Sequence, residues 1–130
     1  MELNAARSLI KAAQARAMDL GILVAVCVVD AGGNTVAFER MDDAQLASSR
    51  IAEGKAYTAL AWQRPSGALW SIAQPGAGGF GINTIDSRFV LSPGGLPVKR
   101  AGALIGGIGN SGGTGEQDED CATAALAGVA

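Results

Sequence analysis

Gly106–Asp120 reads GGIGNSGGTGEQDED, a glycine-rich run that closes on five polar residues. Within it Gly107, Gly109 and Gly112 spell G-x-G-x-x-G, the pattern of a dinucleotide-binding turn. That fingerprint belongs to the first βα turn of a larger unit, whose next strand carries an acidic residue about 20 positions on for the ribose. The 18 residues after Gly112 contain no further strand pattern. A phosphate at the following helix start would also meet Glu116, Asp118, Glu119 and Asp120, which suit the helix dipole but repel an anion. No G-K-[ST] sequence occurs, so a Walker A loop is excluded as well. The stretch reads instead as a buried strand, Ala103–Gly109, turning into a helix over Gln117–Ala127. Thr114 and Gln117 have capping-box spacing, and EQDED forms a solvated first turn. The turns PGG and NSGG expose backbone N–H groups that can hold a ligand oxygen.

Working outward, Ala6, Leu9, Ile10, Ala13, Ala17 and Leu20 form an apolar stripe at helical spacing, with Asn4 as cap and Gly21 as stop. Leu23–Val29 is apolar on both faces and β-branched. The turn Asp30–Asn34 and the run Thr35–Arg40 follow it, a hairpin whose first strand is central. Ala44, Ala47, Ile51, Ala52, Ala56, Ala59 and Leu60 predict a helix from Gln45 to about Trp62, with Gly54 implying a close backbone approach. Ser66 can cap a short helix through Ile72, and the glycine-rich PGAGGFGIN reads as a mobile loop. Ser87–Leu91 is a candidate strand and Ser92–Pro97 a loop. The expected order is α-β-β-α-α-β-β-α in one domain over residues 1–130.

Composition narrows the functions. The chain is 48% hydrophobic and 5% aromatic with 19 glycines, so the core is built from small aliphatic side chains. Ten Lys and Arg against twelve Asp and Glu give a net charge of -2, with no basic block for a nucleic-acid backbone and few aromatics for base stacking. No apolar run reaches the roughly 18 residues of a membrane span, and MELNAARSLI has no leader pattern, so a cytoplasmic protein is expected. Cys27 and Cys121 lack a C-x-x-C partner and read as small buried hydrophobes. Histidine is absent, which removes the usual near-neutral base and the commonest metal ligand; no metal site is expected.

Four phrases in order, VVDAGGNTVAFERMDDA, SSRIAEGKAYTA, SPGGLPVKRAGALIGGIGNSGG and EQDEDCATAAL, make the chain resemble the GlcG/HbpS-like family, also described as haem-degrading-like. The resemblance spans nearly the whole chain. It implies an α+β fold, an antiparallel β-sheet flanked by α-helices in a layered architecture of profilin or PAS type, assembled as a homo-oligomer: dimer, tetramer or octamer. It further implies haem binding, attachment to cobalamin adenosyltransferases, or a role among catabolic enzymes. A histidine-ligated haem is ruled out by composition, leaving Tyr57, Met41, Cys27, Cys121, a lysine or Thr58 as axial options.

The charged residues inside these motifs are the candidate site. Arg40, at a strand end, can clamp a carboxylate through its guanidinium fork. Lys55 sits on an alanine-lined helix where burial would lower its pKa and make it an acid or base. Glu53 and Asp118 are candidate carboxylate partners. Gly94, Gly95, Asn110, Ser111 and Gly112 are substrate-binding candidates, with backbone N–H groups for a developing enolate. Against these stand an Arg40–Asp42 surface pair and a snorkelling Lys55 paired with Glu53 or Asp86. The leading expectation is a cofactor-independent proton-transfer enzyme (isomerase, tautomerase, hydratase or lyase) acting on an oxygenated or carboxylic small molecule. The alternative is a non-catalytic module that binds haem, a corrinoid or an organic acid. It is favoured by the absence of a nucleophile, base and orienter set.

Overall fold

The computed structural model describes residues 1–129. Three α-helices, α1 (Leu3–Leu20), α2 (Leu46–Trp62) and α3 (Gly115–Leu126), enclose four strands, β1 (Ala25–Asp30), β2 (Thr35–Arg40), β3 (Gly95–Arg100) and β4 (Ala103–Ser111). All pairings are antiparallel in the order β2-β1-β4-β3, so the fold is α+β with helices on both faces of one sheet. No helix among the described residues is long and apolar enough to cross a membrane.

Strand alternation sorts the core into two layers. Val26, Val28, Leu96, Val98 and Ile108 point to one face, where α1 and α3 cover them with Leu9, Ile10, Ala13, Cys121 and Ala125. Ala25, Cys27 and Val29 point to the other face, against Ala52, Ala56 and Leu60 of α2. Here the glycines of GGIG have their use: a Cβ at Gly107 would lie 2.5 Å from the Ala56 carbonyl, and one at Gly109 would strike the Ala52 carbonyl. The expected close approach of a helix to this strand is therefore an approach by α2. The central hairpin, the Gly21 stop in left-handed conformation and the Thr114–Gln117 capping box all form as expected.

Three local expectations are corrected. Asn4 is inside α1, not its cap; Glu2 holds that position and makes no side-chain capping bond. The expected helix from Ser66 to Ile72 is two short 3₁₀ turns, Ser66–Leu69 and Ser71–Ala73, because the Ser66 hydroxyl is drawn away to donate to the Ser92 carbonyl and accept from the Gly95 N–H. Ser87–Leu91 is not a strand. It crosses α2 at Gly54, where a Cβ would lie 2.9 Å from the Arg88 carbonyl, and the Val90 N–H donates to Thr58 Oγ1 at 2.9 Å. The fourth strand is β3, which includes the expected loop residues Gly95 to Pro97. Pro97 is tolerated there because β3 is an edge strand.

Candidate functional site

Lys55, facing the sheet from α2, is 2% exposed, and its side chain reaches past the end of β3 and β4 to the helix on the other face. Its Nζ donates to Asp118 Oδ2 at 2.8 Å and to the Asn110 carbonyl at 3.0 Å. Gly94 clears this path: at φ +129° it has no side chain, and a Cβ would lie 2.8 Å from Lys55 Nζ and 2.9 Å from Asp118 Cβ. Asp118 is 3% exposed, which corrects the expectation of a solvated EQDED turn. Its second oxygen accepts from the Gly113 N–H at 2.9 Å and faces Asn110 Nδ2 at 3.4 Å, while Asn110 Oδ1 is buried with no partner among the described residues.

Burial lowers the Lys55 pKa, and the Asp118 hydrogen bond and charge push it back. Burial raises that of Asp118, opposed by Lys55 and by the Gly113 and Gly112 N–H groups. The pair is thus expensive to charge and mutually compensated. It forms one wall of a cleft of about 240 Å³, with Gln45, Ser48, Ile51, Ser92, Ser111, Gly112, Gly113 and Gly115.

The sequence candidates separate. Lys55, Asp118, Asn110, Ser111 and Gly112 meet here. Gly94 and Gly95 are buried against Lys55 and the Gly95 N–H is spent on Ser66 Oγ, so these two supply space rather than ligand contacts. Arg40 stands apart on the edge strand β2, exposed, donating to the Ala44 carbonyl at 2.8 Å rather than pairing with Asp42. Glu53 lies on the far side of α2, 3.9 Å from Arg50, and the partner of Lys55 is neither Glu53 nor Asp86. Ser48 escaped notice in the sequence. It lies seven residues before Lys55, two helical turns away on the same face, and that spacing was the available signal.

The opposite face of α2 carries a larger cleft of about 460 Å³, lined by Val29, Gly33, Thr35, Arg50, Glu53, Tyr57, Arg88 and Val90. Arg88 Cζ sits 3.7 Å above the centre of the Tyr57 ring. Asp86 holds the guanidinium through bonds of 3.0 and 2.6 Å, and Arg88 in turn holds the Asp86 carboxyl down to about 2.

Chemistry decides which side chain here can ligate haem iron. Cys27 and Cys121 are fully buried and burial pushes both thiols up to about 11, far from the thiolate that binds iron. Met41 turns its sulfur to the Val24 N–H at 3.4 Å, and Thr58 Oγ1 is spent between the Gly54 carbonyl and the Val90 N–H. Lys55 is tied to Asp118. Tyr57 fits: it lines the larger cleft, and a tyrosine oxygen is a known haem-iron donor.

A family model described as haem degrading protein HbpS-like matches residues 1–127. The chain belongs to the HbpS-like family. Among its relatives, an uncharacterized 15.0 kDa protein in the dhaT-dhaS intergenic region of Citrobacter freundii is 42% identical over 125 residues, 95% of this HbpS-like chain and 88% of that protein. The corrinoid adenosyltransferase PduO of Salmonella typhimurium is 42% identical over 122 residues, 93% of this chain. The chain spans only 36% of PduO. A solved PduOC:heme complex superposes on the HbpS-like fold with a TM-score of 0.93 at 40% identity, covering 98% of this chain and 93% of the other.

Proposed function

We propose that this HbpS-like chain is a non-catalytic binding or accessory module whose ligand is a carboxylate-bearing tetrapyrrole of the haem class, docked in the cleft outside α2. The observation that carries the reading is that Tyr57, a fitting iron donor, lines a cleft of about 460 Å³ that also holds two arginines. Its volume lies in the range of small-molecule and cofactor pockets. Tyr57 would hold the iron, and Arg50 and Arg88 would face the carboxylates. Bound there, haem would supply a redox-active iron. The chain's own residues bind and orient it, with Asp86 fixing the Arg88 guanidinium. The haem complex of a 40% identical relative supports the same ligand class.

The proton-transfer enzyme has weaker support. Lys55 and Asp118 spend their charges on each other, and neither Arg40 nor Glu53 lines their cleft. Self-association is implied by the resemblance, and exposed Trp70 and Phe80, which line one shallow cleft, are an apolar surface that such an interface could cover.

A haemin titration followed in the Soret region tests the reading, on protein carrying no histidine tag. We expect a saturable one-to-one band that shifts in Tyr57→Phe, with about tenfold weaker binding, equivalent to ~1.4 kcal/mol. A band and affinity unchanged in Tyr57→Phe would overturn it.

A further inference from the structure

The inner cleft, beside Lys55 and Asp118, carries an inference independent of the tetrapyrrole. Ser48 and Ser111 are 2 and 5% exposed and line this cleft, yet neither hydroxyl takes part in a hydrogen bond among the described residues. Neither hydroxyl oxygen is sealed off inside the protein, so both open onto the cleft. Each offers one donor and two acceptor positions. Lys55 adds a third N–H beyond the two given to Asn110 and Asp118. Three polar groups on two elements therefore converge on one space with capacity unspent.

The charges around this space determine what it takes. α2 faces it with Ser48, Ile51 and Lys55, Ser111 faces it from the end of β4, and Asp118 from α3. Lys55 is the one cation among these residues, and Asp118 compensates it at 2.8 Å. Asp118 and the exposed Glu116 also lie in the first turn of α3, offsetting the positive end of its dipole. An anion entering the cleft would find no free positive charge. A hydroxylated ligand would find donors and acceptors together, with Ile51 for its carbon skeleton. The volume of about 240 Å³ is on the order of eight water shares.

We propose that the cleft bounded by Ser48, Lys55, Ser111 and Asp118 is a second binding site, for a small uncharged compound bearing two or more hydroxyl groups.

Ligand-observed saturation-transfer NMR, with glycerol as the neutral probe and glycerate as an anion of similar size, tests this. The expected result is saturable glycerol binding, at least tenfold tighter than glycerate. Ser48→Ala and Ser111→Ala should each weaken it about fivefold, as loss of one hydrogen bond of roughly 1 kcal/mol implies. Because neither hydroxyl holds the fold together, both variants should keep the wild-type thermal midpoint, separating loss of binding from loss of structure. Absence of saturable glycerol binding, tighter binding of glycerate, or unchanged glycerol affinity in the double serine variant would each overturn the proposal. None of these results bears on the haemin titration.

Discussion

The two faces of α2 solve different problems with the same helix. Toward the sheet the groups are apolar or paired: Ala52 and Ala56 lie on the glycines of β4, Leu60 packs beside them, and the one charge, Lys55, is met by Asp118 at 2.8 Å. Away from the sheet, charges are accessible: Arg50 has 89% of its side chain exposed, and Arg88 lies over Tyr57 with 58% exposed. The inner face joins the layers, and what it offers a ligand is the remainder of an ion pair and two hydroxyls. The outer cleft, which runs from α2 to Val29, Gly33 and Thr35 of the β1–β2 hairpin, leaves its polar groups available for a larger guest. Substitutions of the packed or paired groups on the inner face should therefore register first as stability, those on the outer face first as affinity.

The largest effect is expected at the buried pair. Lys55→Ala leaves Asp118 uncompensated and should cost about 3–5 kcal/mol in chemical denaturation, whereas Lys55→Met with Asp118→Leu should recover most of that loss. A cost below ~1 kcal/mol for Lys55→Ala would erase the contrast between the faces. Next comes Gly109→Ala, whose new methyl meets the Ala52 carbonyl; overpacking of this kind costs roughly 1–3 kcal/mol. Its haemin affinity, measured on the folded fraction, should stay near wild type.

On the outer face, Arg88→Ala removes a cation from an aromatic ring and should lower stability by only about 0.5–1 kcal/mol, while weakening haemin binding severalfold. The smallest effect concerns acid. Asp86 is held at about 2, below its ordinary 3.8, chiefly by the Arg88 hydrogen bond. Its contribution to stability is thus present above pH 3.8 and is lost as pH falls through about 2. An NMR titration of the Asp86 carboxyl should give that midpoint and return toward 3.8 in Arg88→Ala.

The same contrast explains what the sequence could reveal. The inner face depends on spacing within one element: the small residues of GGIG marked a close helix, the hairpin turn was bounded by Asp30 and Asn34, and Thr114 with Gln117 marked the start of α3. Lys55, alone among alanines, was legible as a candidate for burial, but its meeting with Asn110 and Asp118 was not, because it joins elements from opposite layers. The outer cleft instead depends on Ser87–Val90 crossing α2 rather than pairing in the sheet. Its local pattern resembles a strand, and only Gly54, which admits Val90 and the Arg88 carbonyl, hinted at the crossing. Asp118 was misread as solvated because the first turn of a helix is usually open; Lys55 arriving from the opposite layer closes it. Arg40 looked like a clamp from its place at a strand end, but an edge strand turned it to the Ala44 carbonyl.

The measurement that bears most directly on the account is an amide NMR map of haemin binding, using the broadening that ferric iron causes in nearby signals. Gly33, Tyr57 and Arg88 should broaden while Ser48, Ser111 and Gly113 keep their intensity. Broadening centred on Ser48, Ser111 and Gly113, with Tyr57 unaffected, would contradict it.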